Sequence, residues 1–411
     1  METPHLLKME PGNNGSPLPA IRIFGVGRAG GGIVNGLESP EFDSAALGVV
    51  DTDASALAGS RASVKIHLEN KLLRGLGSGG DPERSRVLAE EHFATLKAAC
   101  AGARVVLLVG GLGGGAASGI LPVLARAAKE SGALALAFVL LPFDCEGNQR
   151  AQLALAALKS IRESADGVVC LPSQKIFKLT DENTPVLEIF EATSRFLREG
   201  VRGVWQMIAQ PGVMPVRIED LCALLSCSHA ECAFAFAEAS GPARSRDLAE
   251  KILLHPMLEE GRALDDAGWV LVSLKAGRDL TMAEVNRVVD EIKKRSKSAQ
   301  KMIVGTAMDP ACKGQLCLTV IASRDGRDGL RDAASAVKVE NAQTPVTLEP
   351  RQAAEPILTS LKGRGNKSRQ VQGQLPLNII AKSRFDKSEP TLYQGEDLDV
   401  PTYFRRGAPL N

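Results

Sequence analysis

The sequence predicts an α/β protein: a parallel sheet with helices on both faces, then a smaller α/β domain and a disordered tail. From Ile21 onward, short apolar runs alternate with segments of helical spacing, which is the pattern of a parallel sheet covered on both faces. After about Asp325 the periodicity fades, and residues 362–387 hold seven Lys and Arg against one acid. That composition is typical of a flexible, solvated linker.

The elements of the first domain follow one another in regular order. Strands and helices alternate through IRIFGVG, GGGIVNGL, ALGVVDTD, HFATLKAACA, RVVLLVG, LPVLARAAKE, ALAFVLLPF, AQLALAALKSI and GVVCLP. The apolar run that begins at Ala133 is too short to span a bilayer and is typical of a buried parallel strand. A long helix is predicted from Pro185 to Gln210, because proline suits a first turn and Pro211-Gly212 stops the helix.

The second domain is predicted from WVLVSLKAG, the helix TMAEVNRVVDEIKKRS, and the strands KMIVGTAMD and QLCLTVIAS. The predicted divisions are a disordered N-terminus (1–18), a first domain with the long helix (19–212), a second domain (213–325), a linker (326–396) and a C-terminal peptide (397–411).

The C-terminal peptide contains an isolated apolar motif beside charged residues. Its members are Val400, Pro401, Tyr403, Phe404 and Arg405. A short aromatic motif of this kind favours a docking peptide, although a tail without function is the open alternative.

Composition excludes several classes of protein. A net charge of +1 over 411 residues argues against a general nucleic-acid binder. The first residues, METPHLLKMEPGNNGSP, lack the basic start and apolar core of a signal peptide. We therefore expect a cytoplasmic protein without direct membrane insertion, whose eight cysteines are reduced thiols.

One cysteine-rich segment has residue types that bind zinc. Cys222, Cys227, His229 and Cys232 lie within eleven residues, but their spacing matches no common zinc knuckle. The flanking segments are apolar, which favours core packing. We assign no metal to protein side chains.

The first glycine-rich segment, GVGRAGGGIVNG, follows the first predicted strand. Gly25, Gly27 and Gly30 satisfy the G-x-G-x-x-G pattern, and Asp51 and Asp53 follow in VVDTD. This is the outline of a dinucleotide-binding unit, so an NAD-dependent oxidoreductase is one alternative.

A second glycine-rich segment favours a nucleoside triphosphate instead. GGLGGGAASGI (residues 110–120) has six glycines in eleven positions between a buried strand and a helix. Glycine lets backbone N–H groups approach a phosphate at a helix N-terminus, although a tight turn without ligand has the same composition. GLGSGGDP, which includes Gly79, supplies a third turn, and Glu146 and Arg150 are four residues apart at a helix start. No GxxxxGK[ST] sequence occurs, so this is not a P-loop protein.

The order of these motifs resembles FtsZ, the bacterial tubulin-like cell-division GTPase, from Ile21 to Arg324 and again at residues 397–406. The resemblance implies a tubulin/FtsZ-like GTP-binding domain followed by an activating domain. The segment LPSQK, residues 171–175, occupies the place of a family motif beside the nucleotide. The residues that we assign to GTP are Arg28, Ala29, Gly30, Gly31, Gly32, Gly79, Gly113, Gly114, Gly115, Ala116, Ala117, Ser118, Gly119, Glu146, Arg150, Phe190 and Ser194.

The chain departs from the family pattern at several of these positions. Ala116, Ala117 and Ser118 stand where Thr, Gly and Thr are usual, so side-chain contacts to phosphate are lost while most backbone amides remain. Ser194 stands where an Asn reads the base, and serine lacks the paired donor and acceptor of an amide. Arg28 introduces a cation into the first glycine segment.

The loop that would cover a neighbouring subunit's nucleotide is also altered. Asp220 is kept as the catalytic acid, but its expected acidic companion is Arg217. The resemblance implies GTP and Mg²⁺ as cofactors, head-to-tail filaments, a cytokinetic ring at the division site, and docking of membrane tethers and regulators on the C-terminal peptide. We expect slow hydrolysis. The alternative is a nucleotide-binding polymer or regulatory relative with little or no hydrolysis.

Overall fold

A computed structural model describes most of the chain from Ile21 to Arg324. The described residues are 21–37, 42, 47–69, 77–181, 183–209, 212–225, 230–296, 299, 301–324, 392–393 and 396–397; for 222–225, 230–231, 324 and the last two pairs, the backbone alone is described. By backbone contacts the chain divides into a unit of residues 1–342 and a unit of residues 343–411.

The first unit contains a ten-stranded sheet in the order β3-β2-β1-β4-β5-β6-β7-β10-β8-β9. Its strands are β1 (Ile21–Val26), β2 (Leu47–Asp51), β3 (Val64–His67), β4 (Val105–Gly111), β5 (Leu134–Leu141), β6 (Gly167–Pro172), β7 (Ala230–Ser240), β8 (Ala267–Ala276), β9 (Lys301–Met308) and β10 (Gln315–Arg324). β10 runs antiparallel to β7 and β8, and the other neighbours in the sheet are parallel.

Helices connect the strands in the alternation that the sequence predicts. They are α1 (Gly27–Asn35), α2 (Ala54–Ala58), α3 (Pro82–Glu91), α4 (Phe93–Cys100), α5 (Gly115–Glu130), α6 (Asn148–Ser164), α7 (Ser173–Phe177), α8 (Val186–Ala209), α9 (Ile218–Leu225), α10 (Arg244–Leu253), α11 (Arg262–Asp265) and α12 (Met282–Arg295). Short 3₁₀ turns lie at Asp144–Glu146, Pro256–Leu258 and Pro310–Cys312.

The central parallel strands are covered on both faces, as expected for a parallel sheet. Along β4, Val105, Leu107 and Val109 face a core with α1 and α8, while Val106 and Leu108 face a core with α3 to α6. This arrangement follows from the period of two along a strand, and it confirms the predicted parallel α/β fold.

The strand β7 joins the two halves of the sheet. It pairs in parallel with β6 and antiparallel with β10. Phe234 packs in the core around α8, whereas Ala233 and Ala235 pack in a third core with α10 and α12. The smaller α/β part is therefore confirmed, and its sheet continues that of the first domain.

Two helices begin earlier than the sequence predicts. The segment Arg28–Gly32, expected as a loop around phosphates, forms the first turns of α1, and most of GGGAASG lies in α5. The chain needs few residues to turn from each strand into the following helix, because Gly27 and Gly113 adopt positive φ angles of 71° and 91°. The amides that remain free for a ligand are those of the first helical turns.

Several predictions lie outside the described residues. These concern residues 1–20, most of the linker, Cys227, His229, and the docking residues Val400, Pro401, Tyr403, Phe404 and Arg405. Cys232 is buried in the hydrophobic core. Among the described side chains, no group of three or more His, Cys, Asp or Glu is placed to hold a metal ion.

Within the described residues, no helix combines the length and apolar character needed to cross a membrane. In the second unit, a two-stranded ladder pairs β11 (Leu392–Tyr393) with β12 (Glu396–Asp397).

Candidate nucleotide-binding site

The glycine-rich segments meet at one crevice, at the carboxyl edge of the parallel strands. The strand order turns back between β1 and β4, which are neighbours in the sheet. In open parallel sheets, ligands bind at such a switch point, outside the carboxyl ends of the strands. Both α1 and α5 begin there, so two helix N-termini face the crevice.

The first glycine segment is shaped partly by packing. A Cβ at Gly30 would overlap the carbonyl oxygen of Val109, so this residue allows α1 to lie directly against β4. Gly31 is also buried, whereas Arg28, Ala29 and Gly32 are exposed at the start of α1. A Cβ at Gly32 would meet no atom within 4 Å in the part of the chain that the structure describes.

The glycines of the second segment also differ in their surroundings. Some of them allow close backbone packing, and one faces open space. A Cβ at Gly115 would lie 2.6 Å from the backbone of Gly80, and one at Gly119 would overlap the carbonyl oxygen of Pro82. These two glycines let α5 approach α3. Gly114 has an ordinary φ of −97°, and a Cβ there would meet no atom of the described residues within 4 Å. The missing side chain at Gly114 thus leaves open space at the N-terminus of α5, where an anion is favoured.

Ser118 holds the second segment together. Its Oγ accepts a hydrogen bond from the backbone N–H of Gly113 at 3.0 Å, and the residue is 5% exposed. Ala117 is buried and Ala116 is half-buried. The hydroxyl of Ser118 therefore stabilises the turn, and the contribution to a ligand at this segment comes chiefly from backbone amides.

The third glycine turn, residues 77–80, is tied to the end of β2. The backbone N–H of Ser78 donates to Thr52 Oγ1 at 3.2 Å. Gly79 has φ of 61°, and among the described residues no atom would lie within 4 Å of a Cβ there. This turn adds a second open backbone position beside α5.

Glu146 and Arg150 lie beside the second glycine segment. Arg150 Nη1 donates to Glu146 Oε2 at 2.5 Å, and Glu146 Oε1 accepts from the N–H of Phe143 at 2.9 Å. A Cβ at Gly113 would lie 2.8 Å from the carbonyl oxygen of Arg150, so the start of α6 abuts the glycine segment. The predicted i,i+4 pair is present and borders the crevice.

Aromatic surface is left open at the start of α8. The rings of Phe143 and Phe190 are 4.9 Å apart, and Phe190 is 44% exposed. Ser194 lies one turn further along α8 and is half-buried. An apolar ring held partly in solvent beside polar groups is suited to stacking a planar base.

The segment LPSQK is anchored by contacts of its own. Ser173 Oγ donates to the carbonyl oxygen of Leu141 at 2.5 Å. Lys175 Nζ pairs with Glu259 Oε1 at 2.9 Å. These bonds fix α7 against β5 and against the turn before α11.

Asp220 lies at the opposite edge of the sheet. It is in the first turn of α9, and the adjacent Glu219 pairs with Arg104, which immediately precedes the amino end of β4. The 24-residue helix α8 runs from the crevice towards this edge, a length of about 36 Å at 1.5 Å per residue. Asp220 therefore cannot reach a ligand in its own crevice.

Arg217 engages Asp220 directly. Its Nε and Nη2 lie 3.2 and 3.3 Å from Asp220 Oδ2 and Oδ1, a two-point contact. The hydrogen bond to Asp220 raises the pKa of Arg217, so the guanidinium stays charged. The position expected to hold a second acid is therefore Arg217, and its guanidinium pairs with the first acid, Asp220.

One pair at the crevice was not predicted from the sequence. Arg28 Nη2 lies 3.3 Å from Asp53 Oδ2, so the start of α1 is linked to the loop after β2. Sequence reasoning considered Asp53 only within the dinucleotide-binding alternative. The pair could have been predicted from the strand order of a parallel unit, because that order places the ends of β1 and β2 side by side.

Fold and site together define a nucleotide-binding protein of the parallel α/β class. In it, the core helix α8 separates the nucleotide crevice from the acidic loop, the segment that carries Arg217 and Asp220. Comparison with known proteins narrows this class. Residues 20–181 match the GTPase domain of the tubulin/FtsZ family, and residues 231–324 match the FtsZ family C-terminal domain. The chain belongs to the tubulin/FtsZ family, whose members are GTPases.

Solved structures agree with this assignment. An FtsZ dimer from M. jannaschii, described as empty, is 28% identical with a TM-score of 0.69, and the match covers 74% of this chain and 87% of that one. CetZ1 from Haloferax volcanii, a GDP-bound monomer, is 16% identical with a TM-score of 0.65 over 77% of this chain and 98% of that one. CetZ2 from Haloferax volcanii, a GTPγS-bound protofilament, is 20% identical with a TM-score of 0.57 over the same shares. The two CetZ likenesses concern the fold alone.

Proposed function

We propose that this protein binds GTP in the crevice between β1 and β4, assembles head to tail, and forms the cytokinetic ring at the division site. The observation that carries the proposal is the convergence of three glycine turns with Glu146, Arg150 and Phe190 at one sheet edge. The family assignment supports GTP over NAD, and the FtsZ dimer supports self-association.

The nucleotide has a direction in this crevice. Phe190, Glu146 and Arg150 lie on the side of β5 and β6, where they suit the base and ribose. The N-termini of α1 and α5 lie at β1 and β4, where they suit phosphates. The open position at Gly114 is the N-cap of α5 and therefore lies on the phosphate side.

Magnesium is expected with a triphosphate. Two carboxylates beside the phosphate side, Asp53 and Asp81, each cap a helix by accepting the N–H of Ser55 or Glu83. Mg²⁺ in such sites keeps several waters and binds chiefly through phosphate oxygens. That donor set fits this crevice, and the ion would neutralise charge on the transferred phosphoryl group.

Hydrolysis is proposed to occur between subunits. Because Asp220 and the crevice lie at opposite edges of the sheet, a head-to-tail contact brings the Asp220 of one subunit to the nucleotide of the next. Such a heterologous contact generates an open filament. We further propose that turnover is slow, since Arg217 already occupies the Asp220 carboxylate.

The two-point contact of Arg217 with Asp220 favours a second candidate, a nucleotide-binding polymer with little or no hydrolysis. A positioned base contributes on the order of 10²–10⁴ in rate, and a guanidinium cannot take that role. In this candidate, filaments form with GTP and persist.

Phosphate release and light scattering, measured together at several protein concentrations, test the proposal. We expect GTP-dependent scattering above a threshold concentration and a turnover per subunit that rises at the same threshold. Scattering without phosphate release selects the non-hydrolysing polymer. A turnover per subunit that is independent of concentration would contradict catalysis between subunits.

The remaining parts of the proposal concern partners and place. We propose that the C-terminal peptide, with Val400, Pro401, Tyr403, Phe404 and Arg405, docks a membrane tether and division regulators. The motif's composition supports this, since a short apolar and aromatic segment flanked by charged residues suits a groove on a partner. The protein would then act in the cytoplasm, at the division site.

A further inference from the structure

Arg28 lies at the phosphate side of the crevice, and its one described contact is not needed to stabilise the fold. It is in the first turn of α1, and its side chain is 85% exposed. Its contact with Asp53 is an ion pair at 3.3 Å between two exposed groups. Exposed pairs of this kind contribute little to stability, because water screens them and the long side chain loses freedom.

Asp53 keeps its own structural role whether or not Arg28 is present. It caps α2 by accepting the N–H of Ser55 at 2.9 Å and the hydroxyl of Ser55 at 2.7 Å. The hydroxyl and N–H of Ser55, followed by Arg28, hold the pKa of Asp53 below its ordinary value. A charged carboxylate therefore borders the crevice at the end of β2.

The strand order decides which part of a nucleotide meets these two residues. Across the sheet the order is β2-β1-β4-β5-β6, with the residues suited to base and ribose on the β5 and β6 side. The phosphate chain then extends towards β1 and β2. For a nucleotide bound in this direction, the terminal phosphate is the group nearest Arg28 and Asp53.

We propose that Arg28 distinguishes a nucleoside triphosphate from a diphosphate: its guanidinium leaves Asp53 and pairs with the terminal phosphate. This inference rests on the proposed function, since it takes the nucleotide to bind in this crevice. A phosphate dianion is a stronger partner than a carboxylate for a planar guanidinium, which binds two of its oxygens at once. With a diphosphate, Arg28 stays on Asp53.

Asp53 makes the discrimination depend on Arg28. Its carboxylate repels a terminal phosphate at the same corner of the crevice. The arginine adds an attraction that offsets this repulsion, and it does so only when the third phosphate is present. Replacing Asp53 by Asn removes the charge and keeps the helix cap, because Asn caps as well as Asp.

Equilibrium binding of GDP and of GTPγS to the full chain tests the inference. For Arg28→Gln we expect GTPγS to bind about tenfold or more weakly, the loss expected for one charge-assisted contact, with GDP changed less than about threefold. Asp53→Asn should tighten GTPγS binding relative to GDP. In the double variant the effect of Asp53→Asn on GTPγS should still be a gain, since the repulsion is removed in either background.

Arg295→Gln is the matched control. It breaks another exposed Arg–Asp pair, with Asp265 at 3.7 Å, on α12, and both affinities should stay at wild-type values. If Arg28→Gln weakens GDP and GTPγS equally, or neither, the inference is wrong while the binding site stands. If the wild-type chain binds neither nucleotide, the proposed function itself fails.

Discussion

At the scale of single residues, glycines of the same two segments serve different physical purposes. Gly30 and Gly115 allow backbone segments to touch, since a Cβ there would collide with Val109 or Gly80. Gly114 is required neither by its backbone conformation nor by close packing. Its φ suits any residue, and among the described residues no atom lies within 4 Å of a Cβ placed there. Open space at a helix N-terminus is what a bound phosphate needs.

Gly114→Val should therefore abolish nucleotide binding and leave the fold intact. A branched side chain would fill the space at the N-terminus of α5 that a phosphate must enter. We expect GTPγS affinity to fall by about 100-fold or more, which is about 2.7 kcal/mol. Isothermal calorimetry measures the affinity, and circular dichroism checks the fold.

Gly59→Val serves as the comparison for Gly114→Val. A Cβ at Gly59 would make only ordinary contacts at 3.9 Å with the last turn of α2. That variant should bind GTPγS like wild type. Undiminished binding by Gly114→Val would show that no phosphate lies against α5.

At the scale of elements, a charged cluster fastens α10 to α12 in the smaller part of the sheet. Arg244 is 5% exposed and donates to Glu284 at 2.6 Å and to Asp279 at 2.7 Å. Glu284 also completes a capping box with Thr281 at the start of α12. The contact with Arg244 lowers the pKa of Glu284 to about 2.

Glu284→Gln should destabilise the protein at neutral pH by about 2 kcal/mol, because Arg244 loses a charge-assisted partner while the capping box is kept. The folded-state pKa of Glu284 is depressed below its ordinary 4.5. Its stabilisation is therefore complete above about pH 4.5 and is lost as the pH falls towards 2. Urea unfolding from pH 7 down to pH 3 measures the difference from wild type, which should shrink at the acid end.

Glu291→Gln on the same helix is the matched control for this prediction. It breaks an exposed pair with Lys294 and should cost less than about 0.5 kcal/mol at every pH. A difference between Glu284→Gln and wild type that stays constant down to pH 3 would contradict the charge-based explanation.

At the scale of the whole molecule, α8 sets the distance between the crevice and the acidic loop. Phe190 at its start borders the crevice, and the loop after its end carries Arg217 and Asp220. In the proposed function, the crevice and Asp220 are the two halves of one catalytic site, and contact between copies of the chain brings them together.

Arg217→Asp should speed GTP turnover in assembled protein, and Asp220→Ala should nearly stop it. The first change frees the Asp220 carboxylate and adds a second acid, while the second removes the proposed base, worth on the order of 10²–10⁴ in rate. Phosphate release above the assembly threshold gives both rates. If Asp220→Ala hydrolyses GTP as fast as wild type, this loop is not the catalytic element.

Removing residues 398–411 should separate docking from assembly. The deletion spares the β11–β12 ladder, whose last described residue is Asp397. Nucleotide binding and light scattering should stay at wild-type values, and a fluorescent fusion should no longer form rings at the division site. Loss of GTP-dependent scattering would instead place this segment within the polymer contact.

Local features of the chain were enough to predict the parallel α/β fold, the long helix α8 and the Glu146–Arg150 pair. Each depends on neighbours along the sequence: an apolar period of two or 3.6, a proline at a helix start, or a spacing of four. Glycine content likewise marked the segments that meet at the crevice, because glycine is common where backbone must approach a ligand.

Contacts between distant parts of the chain decided the rest. Whether a glycine faces open space, as Gly114 does, or another backbone, as Gly30 does, depends on what packs against it. The pairing of Arg28 with Asp53 arises because β1 and β2 are neighbours in the sheet. The position of Asp220 at the far edge arises from the direction of α8 across the sheet. These relations join residues separated by 25 positions or more, and no local period in the sequence encodes them.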